Sequence, residues 1–298
     1  MKLSEHLAGI DSGIRDIIMT VAEQAKVIQG GFMMHYGTSN TKNVYGETQI
    51  EMDKWADRVL IENFKKTGIV KNISSEERDH VIEFPDVKGG FGITLDPLDG
   101  SSCIKTNLAV GTIVGIFSDG NVLGEGKNMD AACLVIYGPL TTLIYACKGC
   151  GAHEFVLNSE SVFILRNENM KIPDGKIYSP GGLPSDWTDA HRKYVKELEN
   201  QGYKLRYSGS LAADFNQILH YGGVFMYPGL KSKPEGKLRL LFEANPMTFI
   251  ANEAGGAGSD GTKSIHDVKP VKVSQRTPFY IGSKEPVKLA ERMVGNKK

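Results

Sequence analysis

The sequence predicts an α/β fold in which helices and mixed sheets form separate layers (a layered α+β arrangement), divided into two α/β subdomains at residues 1–175 and 176–298. Three observations predict it. A chain of 298 residues corresponds to about two domains of ~150 residues. Its first half passes from helical periodicity to short β-rich runs. A Gly/Pro-rich connector, KIPDGKIYSPGG at 171–182, then separates this half from a second series of helical segments.

The first half is predicted to contain two helices followed by a sheet. Residues 3–29 repeat apolar side chains at spacings of three and four, and we expect this helix to stop at Gly30 and Gly31. Residues 49–67 show the same period and predict a second helix. Between 80 and 157 the runs HVIEF, FGITL, GTIVGIF, ACLVIYG, TTLIYAC and HEFVL predict largely adjacent strands.

The second half is predicted to be a smaller α/β unit. After the connector, a helix capped by Ser185 or Asp186 is expected, then one at about 211–221 and one at 246–255. A second α/β domain is therefore expected from about residue 176 onward.

Composition and charge exclude several classes of function. Lys plus Arg and Asp plus Glu both total 35, so the chain has no overall basic field for nucleic acid or an anionic membrane. No apolar run approaches the ~20 residues that span a bilayer, and the N-terminus lacks the pattern of a signal peptide. We therefore expect a cytoplasmic protein. Locally, KSKPEGKLR (231–239) has four basic residues against one acid, which suits either anion binding or a basic hairpin surface.

Four cysteines, at 103, 133, 147 and 150, are too sparse for a disulfide framework. Cys147 and Cys150 form CKGC, which could be a redox pair or half of a zinc site. A structural zinc needs a second pair of ligands, and only His153 is close in sequence. A redox pair would open a helix, whereas TTLIYACKGCG predicts a strand entering a Gly turn. The pattern favours a plain turn.

Two carboxylates in LDPLDGSS (95–102) suggest a site for a metal and a phosphate. Asp96 and Asp99 follow the apolar run GITL, and carboxylate oxygens are ligands that Mg²⁺ prefers. The following Gly-Ser-Ser can turn backbone N–H groups toward an anion. Asp-Pro and Asp-Gly are also ordinary turn formers, so this segment alone leaves both interpretations open.

Other acids strengthen the functional interpretation. Glu76 and Glu77 follow NISS at an apparent strand end, Glu47 and Asp53 lie near the start of the second helix, and Glu243 precedes a helix in RLLFEANP. Each alone is typical of a solvated surface acid or of a charge at a helix N-terminus. Together they predict a polynuclear carboxylate site.

The ordered motifs resemble a known family. The match extends from about residue 8 to about residue 290, and DPLDGSS followed at long range by KLRLLFE is its most specific part. The set resembles the class I fructose-1,6-bisphosphatase and sedoheptulose-1,7-bisphosphatase family. That resemblance implies a sugar-phosphatase fold of alternating helix and mixed-sheet layers. The motifs are GETQIEMD (46–53), SSEE (74–77), LDPLDGSS (95–102), LRYSGSLAADF (205–215) and GKLRLLFEANP (236–246).

Within the family, the longer matching stretches resemble the sedoheptulose branch. These are residues 136–157, GKIYSPGG (175–182) and NQIL (216–219), whereas YGGVFMYPG (221–229) resembles the fructose branch. We therefore expect a Mg²⁺-dependent 1-phosphatase of sedoheptulose 1,7-bisphosphate, with fructose 1,6-bisphosphate as the alternative substrate. Gly182, where the sedoheptulose branch has Asn, departs from the pattern.

The resemblance implies a role for each matching residue. Two or three Mg²⁺ ions, or Mn²⁺, are expected in the N-terminal subdomain, where two acids would orient and deprotonate the attacking water. The sugar and the far phosphate are expected in the C-terminal subdomain, where an Arg can reach from a neighbouring subunit of a homo-oligomer, a dimer or a tetramer. Implied metal ligands are Glu47, Glu76, Asp96, the Leu98 carbonyl, Asp99 and Glu243; catalytic acids are Asp53 and Glu77; substrate-binding residues are Gly100, Ser101, Ser102, Arg206, Tyr207, Tyr227, Lys237 and Arg239.

Two other functions fit parts of the pattern. Inositol monophosphatase-like enzymes share the fold and a DPLDG-type motif but would not require Arg206 and Lys237. A non-catalytic sugar-phosphate sensor would keep the pocket, but seven acids around a dianion without a metal would be repulsive. Phosphate release with and without Mg²⁺ separates the enzyme from the sensor.

Overall fold

The computed structural model describes residues 1–35, 38–42 and 48–295. Helices and sheets alternate in layers, which confirms the predicted layered α/β fold. The helices are α1 (Leu3–His6), α2 (Ser12–His35), α3 (Glu51–Lys66), α4 (Asp189–Asn200), α5 (Leu211–Tyr221), α6 (Asn245–Glu253) and α7 (Lys284–Val294). The strands of the first half are β1 (Thr38–Lys42), β2 (Thr48–Ile50), β3 (Val70–Ser75), β4 (Ile82–Glu83), β5 (Phe91–Asp99), β6 (Val110–Phe117), β7 (Ala131–Tyr137), β8 (Thr141–Cys147), β9 (Gly151–Leu157) and β10 (Phe163–Met170). Those of the second half are β11 (Ile177–Pro180), β12 (Lys204–Leu205), β13 (Val224–Tyr227), β14 (Leu238–Arg239), β15 (Ala257–Ser259), β16 (Arg276–Thr277) and β17 (Phe279–Gly282).

The larger sheet has eight strands in the order β10-β9-β8-β7-β6-β5-β3-β4. Its pairs are antiparallel except β3 with β5, which run parallel. This parallel pair places the carboxyl ends of β3 and β5 at the same edge, so the acids that follow β3 lie beside those that end β5. The local topology therefore gathers the predicted site residues.

The second sheet has five strands in the order β12-β11-β13-β17-β15. One core cluster joins α2 and α3 to one face of the larger sheet. A second cluster places α5 and α6 between the two sheets, and a third joins α4 and α7 to the outer face of the smaller sheet. The predicted boundary at 175/176 falls between β10 and β11. Because α5 and α6 pack on both sheets, the two subdomains share a core.

Several predicted boundaries were wrong. Helix α2 continues through Gly30 and Gly31 to His35, because Gly31 is where Trp55 of α3 packs: a Cβ there would lie 2.3 Å from the indole ring. Helix α4 is capped by Thr188, whose hydroxyl accepts from the N–H of His191, and not by Ser185 or Asp186. Strand β10 was not predicted; it is an edge strand of the larger sheet, and only its first and last residues are buried.

The CKGC segment forms the turn between β8 and β9, as predicted. The carboxylate of Glu253 on α6 accepts hydrogen bonds from the N–H groups of Gly149 and Gly151, both at 3.0 Å. This pair of bonds fixes the turn against α6. Across the part of the chain that the structure describes, no helix is both long and apolar enough to span a membrane.

The two glycines of α2 provide a matched test of the packing of α2 against α3. A methyl group added at Gly30 would have nothing within 4 Å, whereas one added at Gly31 would meet Trp55. Gly30→Ala should raise the free energy of unfolding by about 0.5–1 kcal/mol through helix propensity. Gly31→Ala should lower it by about 1–3 kcal/mol through overpacking. Urea unfolding measures both, and equal effects of the two substitutions would contradict this packing.

Candidate active site

Three buried carboxylates meet at one edge of the larger sheet. Asp96 and Asp99 come from the end of β5, and Glu243 comes from the segment after β14. One oxygen of each lies within 4.8 Å of the others, and their exposed fractions are 3%, 9% and 6%. Such a group of acids is close enough to share a cation.

An irregularity at the end of β5 turns both acids to the same side. The pairing of β5 with β6 changes register between Asp96 and Asp99. The Leu98 N–H donates to Asp96 at 3.0 Å. Gly100 then takes a left-handed conformation, φ 75°, and a Cβ there would lie 2.5 Å from Ser210. Only glycine suits this position, because it must combine positive φ with close approach to another segment.

Glu243 lies in a single π-helical turn, Leu240–Ala244, between β14 and α6. Its carboxylate accepts from the backbone N–H of Arg239 at 2.5 Å. Isolated π-helical turns are common at functional sites. Here the turn places Glu243 beside the β5 acids instead of leaving it at the end of an apolar strand.

Acids from the turn after β3 and from α3 complete the cluster. Glu76 is hydrogen-bonded through its backbone N–H to the Leu95 carbonyl at 2.9 Å, which ties this turn to β5. Asp53, 5% exposed, comes from the first turn of α3. Asp53, Glu76 and Glu77 all line the same cavity as the buried carboxylates.

A cavity of about 310 Å³ brings most of the predicted site residues together. From the prediction, it is lined by Asp53, Glu76, Glu77, Asp96, Leu98, Asp99, Gly100, Ser101, Ser102, Tyr207, Tyr227, Lys237 and Glu243. It is also lined by Gly209, Leu211, Phe225 and Leu238, which were not predicted.

Two described residues of the prediction, Arg239 and Arg206, do not line this cavity, and a third predicted residue is not described. Arg239 is 1% exposed and lies behind the acids, with its Nε 3.6 Å from Glu76. Arg206 is exposed, with its guanidinium 5.4 Å from the centre of the Tyr221 ring. Glu47 lies outside the described residues. The roles that the resemblance implies for these three stay predictions.

The N-terminus of α5 supports the acid cluster, and this contact was not predicted. Asp99 accepts from the Ser210 hydroxyl at 2.9 Å and from the Ala212 N–H at 2.7 Å. Ser210 is also the N-cap of α5, accepting from Ala213. Asp214 accepts two bonds from the Ser208 N–H. A serine before an apolar run does signal a helix start, but no local pattern shows that this helix points at Asp99.

Burial and mutual repulsion dominate the electrostatics of the cavity. Burial raises the pKa of Asp96 well above its usual range, and the neighbouring Glu76, Asp99 and Glu243 raise it further. The pKa of Glu243 is raised in the same way. Burial also raises the pKa of Asp99, while its hydrogen bonds from Ala212 and Ser210 oppose the rise. A divalent cation would remove this repulsion, and the all-oxygen donor set fits the hard ions Mg²⁺ and Mn²⁺.

Comparison with known proteins gives the family. A model of the fructose-1,6-bisphosphatase N-terminal domain matches residues 2–168, and a model of the C-terminal domain matches residues 172–295. The chain belongs to the fructose-1,6-bisphosphatase family. It is therefore a sugar-bisphosphate phosphatase, a hydrolase, as the resemblance implied.

Individual relatives agree with this family. The chain is 47% identical over 269 residues to the class 1 fructose-1,6-bisphosphatase of Methanocorpusculum labreanum, covering 90% of this chain and 83% of the relative. It is 44% identical over 294 residues to that of Syntrophotalea carbinolica, covering 97% and 92%. The holo structure of Leishmania major fructose-1,6-bisphosphatase superposes with a TM-score of 0.92 at 28% identity, covering 99% of each chain.

Neutralising Asp96 should stabilise the metal-free protein. A raised carboxyl pKa means that the folded state holds its proton to higher pH than the unfolded state, so stability falls as pH rises through that window. In EDTA at pH 8, Asp96→Asn should therefore melt at least about 2 °C above the wild type, with a smaller difference at pH 5. Added Mn²⁺ should stabilise the wild type more than the variant.

Calorimetric melting curves at the two pH values measure this effect. Asp86→Asn, at an exposed acid that does not line the cavity, is the control and should show no such pH-dependent gain. A lower melting temperature for Asp96→Asn than for the wild type in EDTA at pH 8 would contradict the repulsion argument.

Proposed function

We propose that this enzyme is a divalent-metal-dependent phosphatase that releases the 1-phosphate of fructose 1,6-bisphosphate. The observation that carries the proposal is the close group of Asp96, Asp99 and Glu243 in a cavity that also contains Lys237. The relatives named above carry the fructose name. They favour the six-carbon substrate over the sedoheptulose 1,7-bisphosphate that the sequence motifs suggest.

The acid cluster is proposed to hold two or three Mg²⁺ ions, with Mn²⁺ as a substitute. The ligands would be Glu76, Asp96, the Leu98 carbonyl, Asp99 and Glu243, with Glu47 at the loosest position. Bound there, the cations would neutralise the transferred phosphoryl group and lower the pKa of water. The hydrogen bonds to Asp99 from Ser210 and Ala212 occupy one of its oxygens, Oδ2, and so leave the other available as a ligand.

Residues around the cluster are proposed to bind the 1-phosphate and the water. Asp53 and Glu77 would orient the water and accept its proton as the water oxygen bonds to phosphorus and the sugar–phosphate ester bond breaks. Gly100, Ser101 and Ser102, at the start of a 3₁₀ helix that follows β5, would direct backbone N–H groups to the phosphate oxygens. The sugar hydroxyl regains a proton as it leaves.

The far side of the cavity is proposed to bind the sugar and the second phosphate. Lys237 lies with its Nζ 5.5 Å from the centre of the Tyr227 ring, and Tyr207 and Tyr227 line the same cavity. Arg239, buried beside Glu76, would help to neutralise the negative charge of the bound sugar phosphate. Arg206 does not line its own cavity and is proposed to reach the far phosphate of a neighbouring subunit, which requires a homo-oligomer, a dimer or a tetramer.

The cellular setting is part of the proposal. The balanced charge of the chain supports a small-molecule partner and not a nucleic acid or a membrane. We also propose the cytoplasmic location that the sequence predicts.

Asp99→Asn should nearly abolish turnover while the fold is retained. The amide can still accept from Ser210 and Ala212, but it carries no charge to bind a metal. Phosphate release from fructose 1,6-bisphosphate should fall below about a tenth of the wild-type rate, which corresponds to more than ~1.4 kcal/mol of barrier. EDTA should inhibit the wild type, and Mg²⁺ should restore it. A variant that keeps more than this rate would show that the ligand set is wrong.

Substrate preference is tested by assaying the two bisphosphates side by side at saturating Mg²⁺. Both share the 1-phosphate end, so only the region around Tyr207, Tyr227 and Lys237 can sense the extra CHOH unit. We expect kcat/KM to favour fructose 1,6-bisphosphate by no more than about 200-fold, because a site that tolerates one extra group discriminates weakly. A clear preference for the seven-carbon substrate would reverse this assignment and leave the metal chemistry in place.

A further inference from the structure

A second buried acid of α3 lies one helical turn after Asp53. Asp57 is 1% exposed, yet it does not line the cavity. The spacing of four residues puts Asp53 and Asp57 on the same face of the helix. Asp57 has no role in the proposed chemistry, so its burial calls for another explanation.

The side-chain partners of Asp57 come from the last residue of β3 and from the turn that follows this strand. The hydroxyl of Ser75 donates to Oδ1 at 2.6 Å, and Nε of Arg78 donates to Oδ2 at 2.8 Å. Nη2 of Arg78 lies 2.7 Å from the same Oδ2. Burial raises the pKa of Asp57, and the contacts with Ser75 and Arg78 oppose that rise. Charge-assisted bonds of this kind are stronger and more directional than neutral ones.

Ser75 and Arg78 are the two ends of the turn that carries Glu76 and Glu77. The turn is closed by a bond from the Arg78 N–H to the Ser75 carbonyl at 3.1 Å. The Glu77 N–H also approaches the Ser75 hydroxyl at 3.3 Å. Sliding this turn relative to α3 would therefore break three buried or half-buried contacts to Asp57 at once.

We infer that Asp57, Ser75 and Arg78 form a positioning network that fixes the Glu76–Glu77 turn relative to Asp53. The inference rests on the proposed function for the roles of those three acids. Asp53 and Glu77 must face the same water, and Glu76 must face the same cation as Asp96. Since Asp53 comes from α3 and the other two come from the β3 turn, their relative placement depends on what joins these elements, and the Asp57 network joins them directly.

The competing explanation is that the ion pair only stabilises the fold. In that case, variants would unfold more easily, but the folded enzyme would keep its turnover and its metal affinity. A positioning role predicts that turnover and metal affinity fall together. The substrate KM should change little in either case, because the sugar and far phosphate contact other segments.

Arg78→Lys is the main test, because it keeps the positive charge beside buried Asp57 and removes the guanidinium fork. In the folded variant, we expect kcat to fall by about 10-fold or more, and the Mn²⁺ dissociation constant measured by calorimetry to rise by a similar order. The double variant Asp57→Asn/Arg78→Gln replaces the ion pair with a neutral one and leaves no unpaired buried charge. If Asp57 and Arg78 act as a unit, this double variant should lower kcat and weaken Mn²⁺ binding about as much as either single substitution does.

Arg58→Gln, at an exposed arginine next to Asp57 in the sequence, is the matched control and should leave kcat and Mn²⁺ affinity unchanged. Arg78→Lys with a lower melting temperature but wild-type kcat and Mn²⁺ affinity would overturn the inference. If the wild type hydrolyses no sugar bisphosphate, the proposed function fails separately. The Mn²⁺ titrations then decide alone: weakened binding in Arg78→Lys supports the positioning role, and unchanged binding refutes it.

Discussion

Repulsion among buried carboxylates is the constraint on which the rest of this structure depends. Asp96, Asp99 and Glu243 lie within 4.8 Å of one another and are almost completely buried. Like charges in a site of low dielectric are costly, so the chain must hold them by other means. Rigid elements do so: the end of a central strand, a π-helical turn, and the shared core of α5 and α6 between the two sheets.

The groups around the cluster offset only part of the repulsion among its carboxylates. The N-terminus of α5 donates two hydrogen bonds to Asp99, and Arg239 lies buried next to Glu76. Yet the pKa values of Asp96 and Glu243 are still raised well above their usual range. A site in which carboxylates still repel one another, despite hydrogen bonds from the protein's own donors, is typical of a site completed by a cation. The acids come from four separate elements: α3, the turn after β3, the end of β5 and the π-helical turn. A cation bound among them would offset the repulsion that remains.

Local sequence patterns predicted which segments carry the acids of the site. They could not predict contacts between residues that are far apart in the sequence. LDPLDGSS combines a strand end, two acids and a glycine in one segment, so the sequence predicted two carboxylates at one strand end. Helix α5 was predicted over its observed range, 211–221. The support of Asp99 by Ser210 and the burial of Arg239 beside Glu76 join residues that are far apart in the sequence. The predicted end of α2 was wrong for a similar reason. Gly30 and Gly31 suggest that the helix ends there, but glycine is required at position 31 because Trp55 of another helix packs against it.

Locating the cation tests directly whether the buried carboxylates form a metal site. Crystals grown with Mn²⁺ and measured at the manganese absorption edge would show each ion by its anomalous scattering. We expect peaks in the cavity within coordination distance of Asp96, Asp99 and Glu243, with Glu76 facing the same ions. Full occupancy of Mn²⁺ elsewhere, with these three carboxylates bound only to water or to protein donors, would contradict it.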